Sequence, residues 1–161
     1  MKIYFAGAIR GGREDVALYL ELVELLKAYG TVLTEHIADE QVTALGELSD
    51  DGAIHDRDLA WLKEADCLVA EVTTPSLGVG FEIGKATEWD MRILCLFRPN
   101  AGRALSALIA GSDRVAVREY KSATDVGEIF DDFFLNLNFR AESHEIPVFG
   151  IDEILPPFRE I

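Results

Sequence analysis

Two carboxylates fall on the apolar sides of predicted helices, where an acidic side chain is unusual. In the segment SLGVGFEIG, Glu82 stands three residues after Val79 and four before Ala86. In the segment AIHDRDLAWLKEA, Asp58 stands four residues after Ile54 and continues the same apolar stripe. An inward carboxylate is costly unless another group satisfies it. Each acid is therefore either a hydrogen-bonded structural residue or an active-site group.

Paired carboxylates at one site are typical of enzymes that cleave glycosidic bonds, where one acts as acid and the other as nucleophile. Retaining glycosidases hold the two groups about 5 Å apart, a distance that sequence spacing does not give. For Glu82 the structural alternative is a first-turn acid that favours the helix dipole. For Asp58 it is a buried aspartate bonded to a loop N–H. Tyr4 is a possible third member, or a core tyrosine with a bonded hydroxyl.

Three turns rich in Gly, Ser, Thr and Arg follow apolar runs, and they are candidates for binding an anion. The first, GAIRGG at 7–12, opens a predicted helix, whose free N–H groups attract anions. Arg10 adds a bidentate partner for phosphate. The turn matches neither a Walker P-loop nor a G-x-G-x-x-G fingerprint, so a plain strand–helix turn with a solvent arginine is the alternative. The other two turns are TTPSLGVG and RPNAGR.

The remaining polar candidates give weaker signals. His36 ends a predicted strand, where it would line a pocket, whereas Ser106 by itself indicates an ordinary helix-face serine. No G-x-S-x-G elbow makes any serine a nucleophile. Three scattered histidines and two cysteines within apolar runs lack metal-ligand spacing. We therefore predict no metal and no cofactor.

The elements that must position these residues alternate along the chain. Their strands are continuously apolar, as expected when helices cover both faces of a parallel sheet. The pattern predicts an α/β fold with a five-stranded, doubly wound parallel sheet, which binds ligands beyond the carboxyl ends of its strands. A polar segment at 37–49 predicts a mobile loop. The predicted strands are 2–7, 31–36, 67–72, 92–97 and 114–119, and the predicted helices are 10–30, 50–64, 78–90, 103–110 and 123–137.

Length and composition narrow the class of protein. The chain has 161 residues, 49% of them hydrophobic, which predicts one soluble domain. A net charge of −14 argues against nucleic-acid binding but leaves room for one small anion held by a local arginine. Cys67 and Cys95 are expected to be buried free thiols in a reducing compartment. No signal peptide or membrane span is visible, so we expect a cytoplasmic protein.

Taken together, these motifs resemble one family. The segments IYFAGAIRGGRED, GTVLTEH, IHDRDLAWLKEADCLVAEVTTPSLGVGFEIGKA and RILCLFRPNAGRALSALI are similar to the 2'-deoxynucleoside 5'-phosphate N-hydrolases, relatives of the nucleoside 2-deoxyribosyltransferases. The match covers roughly residues 2–111. The resemblance implies a flavodoxin-like fold and a homodimer with active sites at its interface. It implies hydrolysis of deoxynucleoside monophosphates to free base and 2-deoxyribose 5-phosphate.

The resemblance also assigns roles to single residues. Glu82 matches the family's nucleophile, and Asp58 matches the aspartate that helps to protonate the leaving base. Tyr4 matches the tyrosine that positions the nucleophile. Ser106 matches a phosphate-binding serine supplied by the neighbouring subunit, and His36 matches a pocket histidine near the base.

The resemblance places the phosphate in the turns GAIRGG and TTPSLGVG. Where the family usually has a serine, this chain has Ala8, which removes one hydroxyl donor worth about 1 kcal/mol net. Backbone N–H groups and Arg10 are expected to compensate. The predicted substrate- and phosphate-binding residues of these turns are Gly7, Ala8, Ile9, Arg10, Gly11, Ser76 and Gly78.

Other functions share part of this pattern. A nucleoside 2-deoxyribosyltransferase would use the same Tyr4, Asp58 and Glu82, whereas Arg10 with the two serines favours a phosphorylated substrate. A ribonucleotide hydrolase acting on CMP and a non-catalytic nucleotide-binding module are further alternatives, the last disfavoured by two inward acids. We divide the chain into a catalytic domain at 1–138 and a tail of unassigned role at 139–161.

Overall fold

The fold is a five-stranded parallel sheet with helices on both faces. The computed structural model describes residues 1–8, 15–34, 50–99 and 104–135. All strand pairs are parallel and the strand order is β2-β1-β3-β4-β5. The order reverses between β1 and β3, which is the switch point where such sheets bind ligands. The predicted fold class is confirmed.

Strands and helices alternate as the sequence predicts. Each parallel pair is joined by a crossover connection, so the carboxyl ends of all strands lie at one edge. The strands are β1 (Lys2–Ala6), β2 (Thr31–Val32), β3 (Cys67–Glu71), β4 (Arg92–Phe97) and β5 (Ala116–Glu119). The helices are α1 (Val16–Leu26), α2 (Asp51–Glu64), α3 (Leu77–Glu88), α4 (Ala107–Ala110) and α5 (Ala123–Leu135).

Alternate side chains of each strand enter two separate apolar cores. On β1, Phe5 joins the core that contains residues of α1 and α5. Tyr4 points to the opposite face, into the core that contains residues of α2 and α3. This two-residue alternation is the normal pleat of a strand. It places the predicted site residues Tyr4, Asp58 and Glu82 on the same side of the sheet.

The second strand is shorter than the predicted 31–36. The backbone N–H of Leu33 still bonds to Ile3, but Thr34 then turns its buried hydroxyl onto the neighbouring strand. That hydroxyl accepts from the Phe5 N–H at 2.9 Å and donates to the Phe5 carbonyl at 2.7 Å. A side chain thus takes both backbone groups that a longer β2 would pair with. Residues 35–49, including the predicted mobile loop, lie outside the described ranges.

Smaller differences separate the structure from the expectations drawn from the sequence. The predicted helix 103–110 begins only at Ala107, and β5 begins at Ala116 rather than 114. Leu20 of α1 is 38% exposed, because Tyr19, Leu22, Val23 and Leu26 already fill the inner stripe of that helix. The tail from 139 onward is not described.

Two further predictions concern the cysteines and the membrane. Cys67 and Cys95 are buried and unpaired, as expected. Burial raises the pKa of each thiol to about 12, so both stay protonated and unreactive at neutral pH. Within the described ranges, no helix combines the length and the apolar character needed to cross a bilayer.

Candidate active site

The central contact of the site joins a strand to a helix. The Tyr4 hydroxyl donates a hydrogen bond of 2.6 Å to Glu82 Oε1. Tyr4 stands on β1 and is buried, whereas Glu82 stands on α3 and is partly exposed. The two residues are 78 positions apart, so only the tertiary fold brings them together. The structure therefore contains the contact between Tyr4 and Glu82 that the family resemblance implies.

Glu82 is not an ordinary first-turn acid. The helix α3 begins at Leu77 and is capped by Ser76, whose hydroxyl accepts from the Val79 N–H at 3.4 Å. Glu82 is the sixth residue of α3, and the first turn contains no acidic residue. The helix dipole acts mainly on the first turn. The structural alternative of a first-turn acid is therefore wrong, and the inward stripe with Val79 and Ile83 explains the position of Glu82.

Burial sets the proton affinity of the pair. It raises the pKa of Glu82 to about 7, while the hydrogen bond from Tyr4 lowers it and the Asp58 charge raises it. Burial also raises the pKa of Tyr4 well above its usual value, and the Glu82 charge adds to this effect. Tyr4 therefore keeps its proton and stays a donor, while Glu82 exists in both protonation states near neutrality.

Asp58 lies beside this pair on α2, and it has a partner that the sequence analysis did not assign. The Arg57 guanidinium donates to Asp58 Oδ1 through Nε at 2.9 Å and through a terminal nitrogen at 2.8 Å. The same guanidinium packs over the Trp61 ring, 4.7 Å from its centroid. Arg57 was not among the predicted site residues. Stacking on Trp61 fixes the arginine in place, and the arginine in turn orients Asp58.

The turn after β1 is shaped by a tyrosine of α1. A Cβ on Gly7 would lie 2.9 Å from the Tyr19 ring, so glycine is required there by packing. The Ala8 N–H donates to the Tyr19 hydroxyl at 3.2 Å, and Ala8 is buried. Tyr19 therefore already uses one of the backbone N–H groups that were expected to compensate for the missing serine. Any compensation falls to the rest of the turn.

The predicted residues of the phosphate side lie at helix starts. Ser76 occupies the N-cap of α3, and Gly78 lies exposed within the first turn. The first N–H groups of a helix of this length are a ready anion site. Ser106 precedes α4, is exposed, and makes no capping hydrogen bond with its side chain. Its hydroxyl is therefore not used by its own helix.

Four predicted site residues lie outside the described ranges: Ile9, Arg10, Gly11 and His36. Their roles stay predictions. Among the described residues, no group of three His, Cys, Asp or Glu side chains has the arrangement of a metal site.

One polar cluster was missed by the sequence analysis. Glu71, the last residue of β3, is fully buried on the α1/α5 side of the sheet. It contacts Arg98 and Tyr120, which follow β4 and β5. The signal was available, since an acid ends the otherwise apolar run CLVAE and faces a buried layer at the carboxyl edge.

Comparison with known proteins decides the family. A family model described as nucleoside 2-deoxyribosyltransferase matches residues 3–143. The chain belongs to this family. The predicted family relationship is thereby confirmed over a longer part of the chain than the motifs covered.

Members of the nucleoside 2-deoxyribosyltransferase family with high similarity carry related names. A putative 2'-deoxynucleoside 5'-phosphate N-hydrolase 1 of Nematostella vectensis is 51% identical over 141 residues, covering 84% of this chain and 95% of the relative. The 5-hydroxymethyl-dUMP N-hydrolase of Danio rerio is 50% identical, covering 85% and 98%. The human protein of that name is 50% identical, covering 82% and 78%. These names agree with the predicted class of N-glycosidic hydrolase.

Solved structures of the same architecture are more distant in sequence. A CMP N-glycosidase of Clostridium botulinum aligns with a TM-score of 0.61 at 20% identity, covering 81% of this chain and 98% of that protein. A 2-deoxyribosyltransferase of Bacillus psychrosaccharolyticus aligns with a TM-score of 0.59 at 18% identity, covering 79% and 90%. At these identities the similarity establishes the fold of this family member.

Proposed function

We propose that this chain hydrolyses the N-glycosidic bond of 2'-deoxynucleoside 5'-monophosphates, releasing the free base and 2-deoxyribose 5-phosphate. The observation that carries the proposal is the 2.6 Å bond between Tyr4 and Glu82 at the switch point of the sheet. A binder of anionic nucleotides gains nothing from a carboxylate aimed into its site, whereas a glycosidase needs one. The names of the relatives at about 50% identity support the same reaction.

In the proposed mechanism, Glu82 attacks the anomeric carbon as the bond to the base breaks. The transition state resembles an oxocarbenium ion, which a nearby carboxylate stabilises and then captures as a glycosyl ester. Tyr4 holds the attacking carboxylate in place, since it stays a donor throughout. Asp58 assists proton transfer to the departing base nitrogen. A water then cleaves the ester: its hydroxyl joins the anomeric carbon, Glu82 leaves as a carboxylate, and the remaining proton replaces the one that Asp58 passed to the base.

The 5'-phosphate is assigned to the edge formed by the helix starts. Ser76 and Gly78 offer the N-terminus of α3, and the unused Ser106 hydroxyl is assigned to the site of a neighbouring subunit. The first turn contributes Arg10 and Gly11 in this proposal. Because Ala8 supplies no hydroxyl and its N–H is already bonded, we assign most of the phosphate affinity to the other residues.

We propose that the protein is a homodimer whose outer α3 faces meet. Leu77 and Phe81 are 96% and 48% exposed, and Leu108 is 89% exposed. Gly80 and Gly84 share the outer face with the first two at spacings of three and four residues, and a Cβ added to either glycine would meet no described atom from outside its own turns of helix within 4 Å. A solvent-facing helix surface of this kind has no advantage in a monomer. We also assign the protein to the cytoplasm, where its unpaired buried thiols stay reduced.

Among deoxynucleotides, 5-hydroxymethyl-dUMP is the first candidate substrate. Relatives from fish, rodents and human that are 46–58% identical carry the name 5-hydroxymethyl-dUMP N-hydrolase. The substrate panel must therefore contain both plain and modified pyrimidine nucleotides.

The testing experiment is base release followed by chromatography. The panel contains 5-hydroxymethyl-dUMP, the four common dNMPs, their deoxynucleosides, CMP and GMP, each with and without a second base. Release from deoxynucleotides alone supports the proposal. Exchange between a deoxynucleoside and the second base would instead indicate a transferase, and release from CMP would indicate a ribonucleotide hydrolase.

The matched variant is Glu82→Gln, which keeps the acceptor for Tyr4 and removes the nucleophile. We expect turnover to fall by about a thousandfold or more, with nucleotide affinity retained. Calorimetric titration with the substrate checks the affinity. Near-parental turnover in this variant would exclude Glu82 as nucleophile.

A further inference from the structure

A network of polar side chains connects the turns that carry the predicted phosphate-binding residues. It lies on the face of the sheet opposite to Tyr4, and consists of Asp15, Glu71, Thr73, Arg98 and Tyr120. None of these residues takes part in the proposed chemistry. Each stands at the carboxyl edge of the sheet, immediately after a strand or immediately before α1.

Arg98 is the centre of this network. Its guanidinium donates to Asp15, the residue that precedes α1, and its Nε lies 3.7 Å from Glu71 Oε1. Its backbone N–H donates to Thr73 Oγ1 at 2.8 Å. The guanidinium carbon also lies 5.9 Å from the centroid of the Tyr120 ring. One side chain and one amide thus join the segments after β1, β3 and β4.

Glu71 accepts hydrogen bonds from two other residues of the network. Its Oε1 accepts from the Tyr120 hydroxyl at 3.0 Å and from the Thr73 hydroxyl. The next residue, Thr74, donates to Asp15 Oδ2 at 3.4 Å. Ser76, the cap of α3, stands only two positions further along the chain. The network therefore lies directly behind the turn that starts α3.

The energetics of the network argue for a role other than stability. Glu71 is fully buried, and the side chains of Arg98 and Asp15 are 19% and 17% exposed. Burial raises the pKa of Glu71, while the Arg98 charge and hydrogen bonds lower it. Glu71 Oε2 and Arg98 Nε have no hydrogen-bond partner among the described residues. Buried, incompletely satisfied ions seldom improve on apolar packing, so stability alone does not explain them.

We propose that Arg98 is a positioning residue that holds the turns after β1, β3 and β4 in one arrangement and so sets the geometry of phosphate binding. It touches neither the reacting atoms nor the phosphate. It acts through Asp15 at the start of α1, and through Glu71, Thr73 and Thr74 on the turn that leads into α3. The kinetic consequence rests on the proposed function, whereas the structural consequence does not.

The first test measures the backbone directly. Arg98→Met keeps the length of the side chain and removes its donors, and Arg98→Lys keeps the charge with a single ammonium. Hydrogen–deuterium exchange should become faster in Arg98→Met at residues 73–77 and in the first turn of α1, with β1 and α2 unchanged. Arg98→Lys should lie between Arg98→Met and the parent. Unchanged exchange, or a uniform increase over the whole chain, would overturn the proposal.

The second test is kinetic. Arg98→Met should raise the KM for the deoxynucleotide by about 10- to 100-fold through misplaced phosphate contacts, with kcat changed less than KM. The pH dependence should be that of the parent, because Arg98 contacts neither Tyr4 nor Glu82. A loss confined to kcat, or a shifted pH profile, would contradict a role in phosphate geometry.

Arg118→Met is the matched control, because Arg118 is another half-buried arginine near the same edge. Its side chain is 24% exposed, lies 3.8 Å from Asp132, and donates to the Val117 carbonyl. We expect this variant to keep parental KM and parental exchange at residues 73–77. If the parent protein released no base from any nucleotide, the proposed function would fail, and hydrogen exchange would still decide the role of Arg98.

Discussion

Glu82 has two opposing requirements. A nucleophile must be ionised, yet the apolar surroundings that make a carboxylate reactive also favour its protonated form. The structure balances these effects, because burial raises the pKa of Glu82 to about 7 and the hydrogen bond from Tyr4 lowers it. At neutral pH roughly half of the molecules therefore carry Glu82 in the ionised form that the proposed mechanism requires.

The first prediction at this scale concerns the pH dependence of Tyr4→Phe. In the parent enzyme kcat/KM should rise with pH through about 7, as Glu82 ionises. Without the Tyr4 hydroxyl the carboxylate loses a donor, its pKa rises, and the acidic limb should move upward by roughly one pH unit. The measurement is the pH profile of kcat/KM for one nucleotide. The substrate phosphate titrates identically for both proteins, so an unmoved limb would show that Tyr4 does not control Glu82.

A second prediction concerns stability, because a raised pKa in an acid is also a cost to folding. The pKa of Glu82 changes from 4.5 in the unfolded chain to about 7 in the folded one. Below pH 4.5 both states are protonated and no cost exists. As the pH rises from 4.5 to 7 the unfolded state loses its proton first, so stability falls, and the full cost applies above pH 7.

Glu82→Gln does not ionise and should escape this cost. Its advantage in unfolding free energy over the parent should grow from nearly zero at pH 4.5 to about 1–3 kcal/mol at pH 8. Thermal or urea unfolding at several pH values measures it. A difference independent of pH would mean that burial of the ionised carboxylate is not what destabilises the site.

Sequence reasoning located these residues because inward acids violate a pattern. Glu82 and Asp58 interrupt apolar stripes, and that anomaly is visible without a structure. The partner of Asp58 was not visible, because the position of Arg57 depends on stacking over Trp61. The glycine at Gly7 was attributed to ligand approach, whereas the Tyr19 ring on a different element is what excludes a side chain there.

At the scale of elements, α3 has apolar or small residues on both faces. Val79, Ile83 and Ala86 pack inward, while Leu77, Phe81 and two glycines face outward. Glycine within a helix costs about 1 kcal/mol relative to alanine. Since no described atom lies within 4 Å of a Cβ at Gly84, the chain itself does not require glycine there.

Gly84→Ala distinguishes an open helix surface from an interface. On an exposed surface alanine should stabilise α3 by about 0.5–1 kcal/mol. At a close helix contact the added methyl group should weaken the dimer by about tenfold or more. Analytical ultracentrifugation across a range of concentrations measures the dimer, with thermal unfolding measured in parallel.

Gly127→Ala provides the control for this experiment. Gly127 lies within α5, on the other side of the sheet. A Cβ added there would also meet no described atom from outside its own turns of helix within 4 Å. It should gain the helix-propensity benefit with no effect on association. If Gly84→Ala behaves in the same way as Gly127→Ala, the outer face of α3 is not where two copies meet.

The elements themselves were largely predictable, since apolar runs and helical periods follow from local sequence. Their ends were not, because tertiary contacts decide them. The hydroxyl of Thr34 ends β2 by bonding to Phe5, and a propensity pattern cannot distinguish that threonine from one continuing the strand.

At the scale of the whole molecule, the two faces of the sheet have different tasks. One face carries the hydrogen-bonded pair of Tyr4 and Glu82, to which we assign the chemistry. The other carries the network of Arg98 and Glu71, which joins the segments that follow the strands. The Tyr4–Glu82 pair and the Arg98 network both lie at the carboxyl edge of the sheet, where a ligand would bind.

In a dimer with shared sites, the neighbouring subunit would also contribute residues to each active site. Mixing two inactive variants tests this arrangement. We assign Ser106 to the neighbour's site, so Glu82→Gln and Ser106→Asp, whose carboxylate would repel the substrate phosphate, should damage different parts of the same composite site. In a mixed dimer, one site receives Glu82 from the second chain and Ser106 from the first, and both are intact. The other site contains both substitutions.

Co-expression of the two chains with different tags yields the mixed dimer for assay. With random pairing half of the dimers are mixed, and each has one intact site, so base release should reach about a quarter of the parental rate. Each variant alone should lie far below this level. If Ser106 instead serves the site of its own chain, every site in the mixture contains one substitution and no activity returns. Recovery at the expected level would show that the catalytic unit of this family member is the pair of chains.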